Sequence, residues 1–228
     1  MGHEPFTWLR GLGSAEHVAT SALVVGVILA FAAYVRPRLA SAEAAATPES
    51  RLTARSVAEA FVEAMTGLVE SVIREHAERY VPLLGSFFIF ILLANLIGLI
   101  PGFTTPTADF NITFGLGAVS FLAYNVYGAR EHGVKYLKHF LGPIALLAPL
   151  MLVVDVFSNL FRPVSLGIRL FANMFADHQV VEIFTSLTKF GVPVVFYVLG
   201  AFVAVVQAFV FTMLSAIYLA LAVSHAEH

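Results

Sequence analysis

The 228-residue chain has no cysteine, one tryptophan and few charges, 13 Lys+Arg and 15 Asp+Glu. Without cysteine there is no disulfide framework, no thiol nucleophile and no thiolate-ligated metal site. Charged residues make up 12% of the chain, about half of the ~25% usual in soluble domains. That scarcity excludes a soluble enzyme, a disordered tail and a basic nucleic-acid binder, so no nucleic-acid partner is expected. No G-x-x-x-x-G-K-[ST] loop occurs, so the chain is not expected to bind or hydrolyse a nucleoside triphosphate itself. There is no internal repeat, and no low-complexity tract beyond the Ala/Glu-rich stretch 41–50. What is abundant is apolar: hydrophobic residues are 59% of the chain and the mean hydropathy is +0.85. A chain so composed cannot cover a core with polar surface, so much of it faces lipid. The expectation is an all-α integral membrane protein in which 1–228 forms a single membrane domain.

Five runs lack Asp, Glu, Lys and Arg: Val18–Val35, Tyr80–Ala108, Phe110–Ala129, Phe140–Val154 and Phe190–Ser224. A spanning helix needs about 20 mostly apolar residues. The expected elements are an outer N-terminus at 1–16, then spans at 17–36, 81–101 and 110–129. Two long helices follow, over 144–186 and 192–224. Glu4, Arg10 and Glu16 precede the first run, and no small-residue cleavage pattern follows it, so no cleavable signal peptide is expected. As one straight helix 144–186 would be roughly 65 Å long. To fit a bilayer core of about 30 Å it must tilt steeply or bend at Pro149 and Pro163. The last run is also too long for an upright span, and the two predict a tilted hairpin joined near Gly191-Val192-Pro193. That makes five crossings.

Orientation follows from the cations. Arg36, Arg38, Arg51, Arg55, Arg74, Arg79, Arg130, Lys135 and Lys138 fall on one side, and only Arg10 and Lys189 on the other. The richer side is cytoplasmic, which puts the N-terminus outside and the C-terminus inside. Residues 50–79 are too charged to span. Ser56-Val57-Ala58-Glu59 fits a capping box, and Val57, Phe61, Met65, Leu68 and Val72 recur at helical spacing. Glu70–Arg74 and Glu75–Arg79 are supporting i,i+4 pairs. We expect one amphipathic helix over 50–79 on the cytoplasmic surface, an ordinary solvated connecting helix being the alternative.

Ionisable groups inside a membrane cost several kcal/mol and mark function. At about 100° per residue, Asp155, Ser158, Asn159, Arg162, Ser165, Arg169, Asn173 and Asp177 share an arc of about 120°. His178 and Glu182 form a separate i,i+4 pair. Such a stripe suits a water-lined ion path or a protein contact; lipid would reject it.

The segment Pro163-Val164-Ser165-Leu166-Gly167-Ile168-Arg169-Leu170-Phe171-Ala172-Asn173-Met174 resembles the signature of subunit a of F-type ATP synthases. Gln207-Ala208-Phe209 followed by Tyr218 fits the same family. Asp109-Phe110-Asn111-Ile112-Thr113 and Asn95 to Pro101 are weaker matches, and the likeness covers roughly residues 80–228. It implies a stator protein in the bacterial inner membrane, lying beside a rotating ring of c subunits that each carry one buried carboxyl group. The implied partners are that ring, the peripheral-stalk b subunits and the rest of the F-type complex, with no cofactor and no metal. It implies that Arg169 is the essential ion-coupling arginine, with Gln207 as its neighbour on the last helix and Asn173 one turn along. With the orientation above, Asp155, Ser158, Arg162 and Ser165 are candidates for the inner half-channel. Asn173, Asp177, His178, Glu182 and Asp109 are candidates for the outer one. Protons are the expected coupling ion.

This sequence departs from the family pattern in two places. Members commonly have Gly followed by Glu or His where Asp177-His178 stands, and a His or Glu where Gly200 stands, so Asp177 is read as compensating for Gly200. Plainer readings stand beside these. Arg169 could be a structural arginine paired with a carboxylate, Gln207 a helix–helix hydrogen bond, and Asp155–Arg162 a mutual bridge or a snorkelling pair. His178–Glu182 could be purely structural. His132, His139, His225 and His228 are read as solvated. The competing function is a stand-alone ion-coupled secondary transporter, which usually shows repeats and helices broken at mid-membrane.

Overall fold

The computed structural model describes residues 7–8, 15–39, 53–73, 76–133, 148–188 and 191–224. Among the described residues all regular structure is helical: α1 Glu16–Leu39, α2 Ala54–Val72, α3 Val81–Ile97, α4 Phe110–His132, α5 Ala148–Leu187 and α6 Val192–Ser224. Single 3₁₀ turns precede α3 and α4, at Ala77–Arg79 and Pro106–Ala108. Among the described residues, three helical stretches are long and apolar enough to cross a membrane: Glu16–Pro37, Phe110–His132 and Pro193–Val223. Val81–Ile97 is a shorter apolar helix of 17 residues. The charges of α5 set it apart from these. The molecule is an all-α membrane protein.

The sequence reading takes 1–228 as one membrane domain; the chain packs as two compact units, Met1–Pro106 and Thr107–His228. In the first, α2 does not run through 50–79. Thr53 is its N-cap, accepting from Ser56 N at 3.3 Å, while the Ser56 hydroxyl accepts from Thr53 N at 2.9 Å. The capping box therefore lies one turn before the expected Ser56–Glu59 box. Glu59 instead accepts from the buried Arg55 at 2.7 Å, an i,i+4 pair that extends the first turn. The helix stops at Val72, because Ile73 is extended and His76 is left-handed (φ 53°). Arg74 and Glu75, and with them both further i,i+4 pairs, lie outside the described residues.

The buried line of α2 is Met65 and Val69, continued by Ile73, whereas Val57 is 54% exposed. Phe61 and Met65 pack on α3 at Gly85, and the Phe61 ring lies 6.0 Å from that of Phe88. α3 ends at Ile97 rather than 101, and the chain turns through Gly102, whose φ of 93° suits glycine. Beside that turn, His17 Nδ1 is 3.1 Å from Thr105 O, and Trp8 N–H donates to Gly102 O at 2.9 Å.

The second unit is α4, α5 and α6. Asp109 caps α4: its Oδ1 accepts from Asn111 N at 2.8 Å and from Ile112 N at 3.3 Å. α4 then runs antiparallel to α5, and the two backbones meet at a pair of glycines. A Cβ on Gly117 would run into the carbonyl oxygen of Pro163, and one on Gly167 would sit 3.0 Å from Thr113 O. Close approach through small residues is how helices associate where lipid removes the hydrophobic drive. α4 and α6 run parallel, joined by the buried Ser120–Ser215 hydrogen bond at 2.9 Å.

α5 and α6 run antiparallel through three matched contacts. Arg162 lies over the Tyr218 ring (5.1 Å to the centroid), Asn173 donates to Gln207 (2.8 Å) and Phe184 stacks on Phe196 (4.2 Å). The spacing is eleven residues on both helices, 162 to 173 to 184 and 218 to 207 to 196. Eleven residues make about three turns, so all three contacts fall on one face of each helix.

Candidate functional site

The polar stripe of α5 is divided among three surroundings. One set faces α4. The Tyr124 hydroxyl donates to Asn159, 2.5 Å from Oδ1 and 3.2 Å from the backbone oxygen, and Asn159 Nδ2 is 3.4 Å from Asn125 Oδ1. A second set faces α6: Arg162 on Tyr218, and Asn173 on Gln207. The third set is open. Ser158, Ser165 and Arg169 are exposed, on the side of the stripe away from the buried line Pro163, Leu166, Gly167, Leu170 and Met174.

Arg169 is the centre of the open part. Among the described residues it has neither an ion-pair partner nor a hydrogen bond from its side chain. Its neighbours one turn either way are engaged: Ser165 donates back to Arg162 O at 2.9 Å, and Asn173 donates to Gln207 Oε1 at 2.8 Å. Gln207 is 3% exposed, and its Nε2 has no acceptor among the described residues. A buried amide donor left unmet costs about 1–3 kcal/mol. The seam between α5 and α6 thus holds an open cation, a hydrogen-bonded pair of amides of which Asn173 is exposed and Gln207 buried, and an unspent N–H donor within two turns of helix. Chemically this arrangement suits a carboxylate arriving from outside the chain.

The remaining sequence-predicted residues are placed as follows. Asp155, Asp177 and His178 are half-buried on α5, and Glu182 is exposed. No ion pair joins Asp155 and Arg162; the guanidinium is over the Tyr218 ring instead. Tyr218 is itself 6.1 Å from Tyr124, centroid to centroid, so it belongs to the packed junction of the three helices. Asp109 is engaged as a helix cap. Losing such a cap costs about 1 kcal/mol, so Asp109→Ala should destabilise the α4–α6 unit by that amount. Asp109→Asn retains an accepting oxygen and should match the parent in thermal unfolding. If Asp109 also relays protons, both variants should lose proton flux, and comparing the two separates the roles.

Sequence reasoning missed the Tyr124–Asn159–Asn125 cluster and the Ser120–Ser215 bond. A buried tyrosine hydroxyl needs a partner, but nothing local says that the partner lies 35 residues on. His132 is also corrected: it is not a solvated loop residue, because its Nε2 lies 3.1 Å from the Ala222 carbonyl near the end of α6. Terminal carbonyls of a helix lack intrahelical donors, and an imidazole can supply one. His139, His225 and His228 lie outside the described residues. Among the described residues no group of three or more His, Asp or Glu is placed to hold a metal.

Comparison with known proteins gives one consistent likeness. The sequence profile of the ATP synthase A chain family matches residues 18–220. The chain is 45% identical over 225 residues to an ATP synthase subunit a of Bdellovibrio bacteriovorus, covering 96% of this chain and 98% of that one. It is 40% identical over 215 residues to an ATP synthase subunit a of Solibacter usitatus, covering 94% and 89%. With an ATP synthase subunit a of Sorangium cellulosum the identity is 39% over 214 residues, covering 93% and 84%.

Proposed function

The chain belongs to the ATP synthase subunit a family, and from that premise we propose that it is the proton-translocating stator subunit of a rotary F-type ATP synthase. It works in the bacterial inner membrane beside a ring of c subunits, held by the peripheral-stalk b subunits, and has no catalytic site of its own. The single observation that carries this reading is Arg169: an exposed guanidinium on a membrane helix with no partner among the described residues. A guanidinium stays protonated even when desolvated, and a lone charge in lipid is too costly to keep without a use. A ring carboxyl brought beside it has its pKa lowered and gives up its proton. Because Arg169 repels protons, they cannot cross directly between the two access routes and must ride the ring. Each charge carried through the membrane potential yields about 2.3 kcal/mol per 100 mV.

In this reading the chain crosses five times, N-terminus outside and C-terminus in the cytoplasm, with α5 and α6 as a tilted hairpin against the ring. Asp155, Ser158, Arg162 and Ser165 line the inner half-channel, with Tyr218 bordering it. Asn173, Asp177, His178 and Glu182 line the outer half-channel, and Asp109 sits at its mouth. Asp177 supplies the ionisable group that relatives carry at the position of Gly200. The register of α5 and α6 supports this: continuing it past Asn173–Gln207 puts Asp177 level with Val203, and Gly200 is about 4.5 Å further along the axis.

Detergent extraction of native membranes tests the function. The chain should co-purify with a c ring, a peripheral stalk and an ATP-hydrolysing head. Solute uptake driven by an ion gradient, catalysed by the isolated chain in liposomes, would contradict it. For the outer half-channel, Asp177→Ala should lower ATP-driven proton pumping at least ~10-fold, the scale of losing one proton relay. Adding Gly200→Glu to that variant should restore pumping. Full pumping by Asp177→Ala alone would count against the assignment.

A further inference from the structure

Pro163 lies inside α5, six residues before Arg169, and the helix runs through it without a break. A proline has no N–H, so the carbonyl of the residue four positions earlier loses its intrahelical donor. That residue is Asn159. In hydrocarbon a freed carbonyl is tolerated only where a neighbouring helix or side chain satisfies it. The Tyr124 hydroxyl of α4 is 3.2 Å from the Asn159 backbone oxygen, and shares its one proton between that oxygen and Asn159 Oδ1. Tyr124 is 2% exposed, and its ring is fixed between Phe121 (5.5 Å) and Tyr218 (6.1 Å). One turn toward the N-terminus of α4, Ser120 ties the helix to α6. A further turn back, the glycines Gly117 and Gly167 bring the α4 and α5 backbones together.

We propose that Tyr124 is a positioning residue for Arg169: its hydroxyl replaces the hydrogen bond that Pro163 removes from α5, and so fixes the direction of the half-helix that carries Arg169 and Asn173. The proposal rests on the reading of Arg169 given above. The lever is short and stiff. Arg169 lies about 9 Å beyond Pro163 along the axis, so a change of ~10° in bend at the proline displaces it by about 1.6 Å. Misplacements of about 1 Å can cost on the order of 100-fold in rate. A mispositioned guanidinium also blocks direct proton passage less well, so protons leak as well as slow. Arg162, held on the same Tyr218 ring that packs on Tyr124, links the inner end of the stripe to the same support.

The test is a double-substitution cycle in the complete ATP synthase: Tyr124→Phe, Pro163→Ala, and both together. The readout is the number of protons pumped per ATP hydrolysed, which is unaffected by how much complex assembles. Tyr124→Phe should lower that ratio at least about 3-fold, a fraction of the loss for a 1 Å misplacement. Pro163→Ala restores the backbone donor to Asn159, so the double variant should return to the level of Pro163→Ala alone. If the double variant stays as impaired as Tyr124→Phe, or the two losses multiply, the proposal is wrong. It is equally overturned if Tyr124→Phe keeps a full ratio. Should Tyr124→Phe fail to assemble, the double variant must assemble, and its absence from membranes overturns the proposal. The same cycle, followed by thermal dissociation of the chain from the complex, reports the Tyr124–Pro163 coupling independently of Arg169. A failure of the Arg169 reading would leave that coupling intact.

Discussion

Gly117→Val is expected to abolish stable packing of the α4–α6 unit, whereas Gly115→Val, two residues away on the same helix, is expected to be tolerated. The pair isolates packing from helix propensity, because the exchanged residues are identical. At Gly115 an added Cβ meets nothing within 4 Å. At Gly117 it meets the carbonyl oxygen of Pro163, which is backbone and cannot rotate away. To admit it α4 and α5 must part, losing the Gly167 contact and drawing the Tyr124 hydroxyl off Asn159. Overpacking a rigid site costs about 1–3 kcal/mol, sometimes more. An unsatisfied Asn159 carbonyl adds about 1–3 kcal/mol. Together, about 2–6 kcal/mol, they reach the lower end of the margin of an ordinary folded domain, about 5–15 kcal/mol. Quantitation of the chain in membranes, with limited proteolysis between α4 and α5, checks the outcome: little intact Gly117→Val chain, and parental levels of Gly115→Val.

Much of this architecture is written in local periodicity and charge. The charge-free runs locate α1, α3, α4 and α6 because lipid-facing helices cannot carry ions. The 100° arithmetic finds the α5 stripe because any helix repeats every 3.6 residues. What periodicity does not contain is which neighbour each member meets. Asn159, Arg162 and Arg169 read alike as stripe residues, yet one bonds α4, one stacks on α6 and one is open. That division comes from two helices packing at different azimuths around α5. The contacts that fix it, Gly117 on Pro163 and Gly167 on Thr113, join residues about 50 apart. The capping box of α2 lies one turn before the expected Ser56–Glu59 box for a local reason. Thr53 and Ser56 cap each other reciprocally, although glutamate or glutamine is the usual third residue of such a box. That released Glu59 to pair with Arg55. His132 reads as solvated from its charged neighbours, but the carbonyl it meets belongs to the far end of the chain.

Arg169→Ala carries the largest functional effect. A cation within about 4–6 Å lowers a carboxyl pKa by about 1–3 units, and each unit is a factor of ten between the two protonation states. On the function proposed above, without it the ring carboxyl would keep its proton as it passes α5, and the barrier between the two access routes would disappear. Lysine is not an equivalent replacement, since a buried ammonium is readily neutralised whereas a guanidinium is not. Asn173 and Gln207 hold each other independently of Arg169, at 2.8 Å, so the α5–α6 seam should survive the substitution. The decisive measurement is therefore ATP-driven proton pumping by the assembled Arg169→Ala complex, with its subunit content verified. The account predicts a loss of at least ~100-fold with ATP hydrolysis and assembly retained. Pumping at the parental rate by an intact complex would contradict it.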